Sequence, residues 1–361
     1  MKKLAALLVP FLLLGCGGDD GASGSAAGGV TPPPAGAPWE TLAEWHLFDE
    51  GGKPADRVVP YEVVSPLWSD GTTKRRYVYL PKGASIGYQG EEVWSFPVGA
   101  VLVKSFSYLL DASDASLGER PLEVRLLVHE PDGWVPHTYA YPDASGAAVR
   151  TVAGKDIPVS FVDAAGKQHD LDYGVPNTNL CSECHGVGAK LDTLGGRTRQ
   201  LNRDHDYGDG ETNQIDHFAA LGWLDAAPPP AASRQTLVDP AGSGSTSERA
   251  RSYLDANCAH CHAEGRVASS SGLLLDWAKT APGNPASTFG VCKTPTSAGG
   301  GTCGLTYDIV PGKPQESVLM CRIASRTGQV QMPPIATQLV DDAGVKLIGE
   351  WIQSLSDPPC Q

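Results

Sequence analysis

The sequence predicts an α+β multidomain chain: an antiparallel β-sandwich-like region followed by two helical segments, each carrying one copy of the same short motif. Three observations lead there. Between residues 39 and 175 the chain runs in short stretches rich in Val, Tyr, Phe and Trp, at 74–80, 91–96, 100–110, 122–130, 134–141 and 157–162, separated by turn residues. Cys181-Ser182-Glu183-Cys184-His185 has the same spacing as Cys258-Ala259-His260-Cys261-His262. Near the end, Val345, Ile348, Trp351, Ile352 and Leu355 fall on one helical face. A length of 361 residues accommodates two or three domains.

Taken in order, residues 1–15 read as a signal peptide. Lys2 and Lys3 precede an apolar run too short to span a bilayer. Leu13-Leu14-Gly15-Cys16 resembles the lipobox of bacterial lipoproteins, which implies cleavage before Cys16 and its acylation, so that several acyl chains anchor the protein to a membrane. Gly17 rather than Asp follows Cys16, and by the same resemblance this favours the outer membrane, on its periplasmic or surface face. Residues 16–38 are Gly, Ala, Ser, Asp and Pro with almost no apolar side chains, the composition of a flexible tether reaching about 25 Å.

The region 39–175 is read as the sandwich. Asp132-Gly133 marks a hairpin turn inside it, and Trp68, Trp94 and Trp134 are expected in its core. The first motif lies in 176–228, with Asn177-Thr178-Asn179 ahead of it as the start of a helix. Some fifty residues cannot enclose a large cofactor alone, so this segment must lean on its neighbours. A linker at 229–244 contains Pro229-Pro230. The last segment, 245–361, opens with Ser245 and Glu248 spaced as a capping box and closes with a helix capped by Asp341 or Asp342.

The repeated pentapeptide has the spacing of c-type haem attachment. Two thiols, Cys181 and Cys184 or Cys258 and Cys261, reach the two vinyl groups of a porphyrin, and the adjoining His185 or His262 becomes the proximal iron ligand. Zinc held by the four thiols is the rival reading, but zinc has no use for a histidine directly after each pair. The expected cofactors are therefore two covalently bound haem c groups. Gln331-Met332-Pro333-Pro334 presents a soft thioether on a stiff loop, and Met332 is assigned as the sixth ligand of the second haem. Met320 sits in a helical run and is read as packing.

No further methionine survives signal cleavage, so the first haem takes a second histidine, a borrowed Met320 or some other ligand, or keeps an open position. His217 is the first choice, beside the apolar stripe of Ile215, Phe218 and Leu221; His205, His129, His137 and His169 are alternatives. Arg197, Arg199 and Arg203 are candidates to pair with propionates, with exposed arginines the simpler reading. Of nine cysteines, Cys292, Cys303, Cys321 and Cys360 are left. An oxidising compartment would pair them, and Cys292–Cys303 with Cys321–Cys360 is the favoured arrangement.

These residues resemble dihaem c-type cytochromes of bacteria, and 245–361 is similar to a class I cytochrome c domain in its haem motif, its late Met-Pro loop and its closing helix, with Tyr253 and Trp351 at the helix crossing. The resemblance implies a membrane-anchored electron carrier between redox partner proteins of the cell envelope, a class I fold for the last segment, and transfer rather than catalysis as the activity. Two other readings stay open: a dihaem peroxidase or oxidase with an open site at the first haem, or a binding module with an attached haem relay. The chain carries 28 Lys and Arg against 41 Asp and Glu, a net charge of −13. Loss of Lys2 and Lys3 with the signal takes this to about −15, which argues against nucleic acid as a partner; a solubilising surface is the simpler reading of this charge and steering of a basic redox partner the alternative.

Overall fold

A computed structural model describes residues 29–143, 146–208, 210–296, 302–356 and 360; the signal peptide, Cys16 and most of the tether lie outside the described residues. The architecture is organised by a six-stranded antiparallel meander in simple sequence order: β1 (Val58–Tyr61), β2 (Thr73–Tyr79), β3 (Val101–Leu109), β4 (Glu119–Glu130), β5 (Gly133–Ala140) and β6 (Val149–Arg150). The expected turn at Asp132-Gly133 joins β4 to β5, with Glu130 paired to Gly133. Gly133 has φ +132°, a conformation open to glycine and closed to side chains.

Strand alternation gives the sheet two unlike faces. Val101 and Val103 on β3, Val124, Leu126 and Val128 on β4, and Tyr139 on β5 bury themselves against Leu42, Trp45 and Leu47. The Trp45 indole donates to the Tyr139 hydroxyl at 2.6 Å. The intervening residues, Leu102, Lys104, Phe106, Arg125, Leu127, Pro136 and Thr138, turn to the other side and form the wall of a large cavity. A hairpin of β7 (Lys155–Val162) and β8 (Gln168–Val175) closes one end of that wall through Ile157, Val159, Phe161 and Tyr173, which pack on Tyr108, Leu122 and Ala140.

This overturns the predicted fold class. The strand-rich region is not a β-sandwich, because the partner of the six-stranded sheet is a single hairpin plus irregular chain rather than a second sheet. The run at 91–96 forms no strand, only isolated bridges from Val93 to Arg197 and Ser95 to Gly87. Neither motif-bearing segment is a helical domain, and helical residues amount to only 24% of those described. The first holds α1 (Cys181–His185), α2 (Thr198–Leu201) and α3 (Gln214–Ala220) between two-stranded ribbons, β9 (Gly186–Val187) with β10 (Lys190–Leu191) and β11 (Asp204–Asp206) with β12 (Glu211–Asn213).

In the last segment the expected class I cytochrome c fold is likewise corrected. Among the described residues only α4 (Thr246–Asn257), α5 (Val318–Ile323) and α6 (Asp342–Ser354) are α-helical there. Between α4 and α5 the described residues make turns and single 3-10 turns, where Pro282, Pro285 and a series of left-handed glycines interrupt any helix. Gly290, at φ +98°, shows why one cannot be replaced: a Cβ there would lie 2.4 Å from Leu273 Cδ1.

Helices α4 and α6 do pack on each other, as their apolar spacing requires. Ala250 and Leu254 meet Leu347, Ile348, Trp351 and Ile352 in one core. The approach is closest at Gly344, where a Cβ would stand 2.3 Å from the Tyr253 hydroxyl, which itself donates to Asp341 at 3.0 Å. Ser245 and Glu248 form the capping box anticipated from their spacing. The disulfides join Cys292 to Cys360 and Cys303 to Cys321, replacing the favoured Cys292–Cys303 and Cys321–Cys360 pairing.

The segments are bound together. Trp94, Phe96 and Ala100 share a core with Leu201, Ile215, Phe218 and Trp223 from the first motif segment. Further along, Ser65 donates to the Ser252 carbonyl at 2.9 Å, and the Asn257 side chain accepts from Trp68 N at 2.7 Å, fixing α4 to the sheet region.

Candidate functional site

Both pentapeptides face the same cavity, about 1120 Å³ in volume, between the cationic face of the sheet, α1, the end of α4 and the loop 332–337. Asn177 accepts from Asn179 N, as a start signal should, and a single 3-10 turn then feeds α1, which sets Cys181, Cys184 and His185 along the wall. The chain reverses through β9 and β10 and returns Asp192, whose carbonyl bonds His185 Nδ1 at 2.9 Å. In the second motif, past the end of α4, His262 Nδ1 is 3.2 Å from the Leu273 carbonyl.

The two histidines are thus held in the same way. A ring nitrogen facing a carbonyl must be the protonated one, which leaves Nε2 with its lone pair free to bind a metal. Burial favours the neutral ring in both cases, lowering the pKa of His185 and taking that of His262 down to about 4. A neutral imidazole with a fixed tautomer is what iron ligation requires.

The thiols of the two motifs approach one another. Cys261 Sγ donates to the Glu183 carbonyl at 3.1 Å, and the ligand atoms of Cys184, His260 and Cys261 lie within 4.8 Å of each other. That trio is not the four-thiol zinc site weighed from sequence, since Cys181 and Cys258 stand outside it. A single ion would also leave almost all of the cavity empty. The volume exceeds the roughly 300–1,000 Å³ of ordinary small-molecule pockets, and its lining is largely apolar with a few placed donors, which fits large planar cofactors better than an ion.

Met332 lines this cavity, with its backbone fixed by N–H donation to the Arg322 carbonyl at 3.0 Å. Its loop is anchored from the sheet side: the buried Asp70 carboxylate accepts from Gln338 N and Leu339 N at 2.8–2.9 Å, and the Trp68 indole donates to the Leu339 carbonyl at 3.3 Å. Trp68 is therefore part of the cavity wall and not of a strand core. Met320 lies away from the cavity, beside Gly349 and Lys346 on α6, in keeping with a packing role.

The sequence choice of His217 is corrected. Its ring stacks on Tyr207 at 3.5 Å between centroids, and it takes no part in the cavity lining. His205 packs edge-on to the same tyrosine, His129 stacks on Trp134, and His169 bonds Asp163. The backbone of His137 borders the cavity, but its cross-strand partner Leu126 belongs to the Trp45 core, so alternation turns the ring to the far face of the sheet.

Of the arginines, Arg197 and Arg199 line the cavity, and Arg199 forms a buried two-point pair with Asp255 at 3.0 and 3.1 Å. Arg203 pairs with Glu62 instead. The residues that sequence reading missed are Arg76, Lys104 and Arg125, three cations on the sheet face turned to the cavity. Their signal was present: on β2 and β3 the charged residues occupy the same alternating positions as the apolar Val78, Leu102 and Phe106. No protein-family model matches this chain, nor does any curated protein or solved structure.

Proposed function

We propose that this protein is a dihaem c-type cytochrome that passes electrons between redox partners of the bacterial cell envelope, held at a membrane through an acylated Cys16. The observation that carries the proposal is the convergence of two Cys-x-x-Cys-His motifs on one cavity, each with its imidazole fixed through Nδ1 to a backbone carbonyl. Cys181 and Cys184 would hold one haem and Cys258 and Cys261 the other, with His185 and His262 as proximal ligands and Met332 as the distal ligand of the second. When bound, the haems supply one-electron chemistry at iron.

The chain's own residues do the rest. They fix two imidazoles in the neutral tautomer, bring a thioether to the second site on a loop clamped by Asp70, and line both sites with one shared cavity. Placing both sites on one cavity shortens the path between them, as a carrier with two centres needs. No helix among the described residues is long and apolar enough to cross a membrane, so the proposed attachment rests on the lipid anchor.

The test is a potentiometric titration of the purified, matured protein with optical and electron paramagnetic detection. Two one-electron waves from two low-spin haems are expected. A high-spin ferric haem with peroxide turnover would replace the carrier by an enzyme.

A further inference from the structure

We propose that Lys104 supplies the second axial ligand of the haem held by Cys181 and Cys184, through its side-chain amine. This rests on the dihaem reading above and assigns the coordination position that the methionines and histidines leave vacant.

The first observation is a conflict within the sheet. Arg76, Lys104 and Arg125 are direct cross-strand partners on β2, β3 and β4, so three cations stand in a row on one face. Like charges directly opposite each other destabilise a sheet. Arg125 is compensated by Glu123, which it grips through Nε at 2.8 Å. Arg76 and Lys104 have no ion pair among the described residues. A guanidinium does not lose its proton, so the amine between two of them is the group that relieves the row by becoming neutral. Burial, reinforced by Arg76, Lys74 and Arg125, accordingly pushes Lys104 well below the usual lysine range. A neutral amine is a nitrogen donor with a free lone pair.

The second observation is position. Lys104 lines the cavity on the stretch of wall that faces the first motif: its charge acts on the His185 ring, while that of neighbouring Arg125 acts on Cys181. Its Nζ stands 4.9 Å from the centre of the Phe106 ring and engages no hydrogen-bond acceptor among the described residues. Rival donors on the lining are committed elsewhere. His260 is held in the second motif between Cys258 and Cys261, Tyr173 and Tyr253 donate to Glu123 and Asp341, and Lys279 pairs with Glu264 at 2.7 Å. Histidines from the sheet region keep their rings outside.

The experiment uses the full-length, haem-loaded protein. Lys104→Ala and Lys104→Arg should each turn one haem high-spin while the Met332 haem keeps its sulfur-to-iron band; added imidazole should restore the low-spin spectrum of Lys104→Ala. The arginine variant puts a permanent cation at this position and cannot ligate, so a low-spin first haem in Lys104→Arg overturns the proposal and leaves Lys104 an electrostatic role only. Should neither variant fold, proton NMR of the reduced wild-type protein with labelled lysine decides. One set of lysine methylene signals displaced far upfield by the porphyrin ring current is expected, and its absence overturns the assignment, as does a high-spin first haem in the wild type. A haem count of two alongside any of these failures leaves the dihaem reading intact; a count of zero removes both.

Discussion

At the scale of single residues, the sheet separates two bases by one position of alternation. Lys104 faces the cavity, whereas His137 is enclosed beside Trp45 with an Nε2 that has no hydrogen-bond partner. Burial and the nearby Arg150 take the His137 pKa down to about 4. Above pH ~6.5 the ring is neutral in both folded and unfolded chains and contributes nothing. As pH falls toward 4 the unfolded chain takes up a proton that the folded one refuses, so stability is lost across that window, by up to about 3 kcal/mol, and the loss levels off below it. His137→Phe should flatten this dependence: urea midpoints at pH 7 and 4.5 should differ less in the variant than in the wild type. Equal drops would show that the acid sensitivity arises elsewhere. The two pentapeptides that meet at the cavity were the most legible part of the sequence, because the motif spacing is local. His217 was misread since its neighbours Ile215 and Phe218 do enter a core, but the one shared with Trp94 and Trp223 rather than the cavity.

At the scale of elements, the loop bearing Met332 is held in place by a residue far away in sequence. Asp70 is buried and accepts from the backbone of Gln338 and Leu339, so Asp70→Ala leaves two N–H groups without a partner at a cost of about 1–3 kcal/mol. The loop should loosen. The near-infrared sulfur-to-iron band is expected to weaken on warming in Asp70→Ala and to be absent altogether in Met332→Ala. A band that survives Met332→Ala would mean that another sulfur ligates the iron. Strands β2 to β5 and β7 were legible because alternation and the Asp132-Gly133 turn are local signals. The helical reading of the last segment failed between α4 and α5, where glycine and proline cut the chain into turns that periodicity does not detect. The sandwich failed for a different reason: strand propensity says nothing about which strands pair, and the face expected to pack on a second sheet instead carries Arg76, Lys104 and Arg125.

At the scale of the whole molecule, an acidic chain surrounds a cavity with a cationic wall, and the strand-rich region serves as that wall. The first motif segment has too few residues to enclose a cofactor, and the structure gives it the sheet on one side and the second motif on the other, as its size required. The end of the chain is tied in by Cys292–Cys360, which closes a loop of 68 residues and by the chain-entropy estimate contributes about 4 kcal/mol. Peptide mapping without reduction should recover Cys292 with Cys360 and Cys303 with Cys321; a Cys292–Cys303 peptide would contradict the fold of this region. The pairing was not legible because four cysteines allow three connectivities and spacing does not choose among them. What the account claims above all is that two porphyrins are fastened covalently to this chain. Intact-protein mass spectrometry after denaturation, on protein matured in a host that attaches haem c, measures this directly. The expected masses are those of two haems on the wild type and of one on each of Cys181→Ala/Cys184→Ala and Cys258→Ala/Cys261→Ala, and a wild-type chain without added haem mass would overturn the dihaem reading.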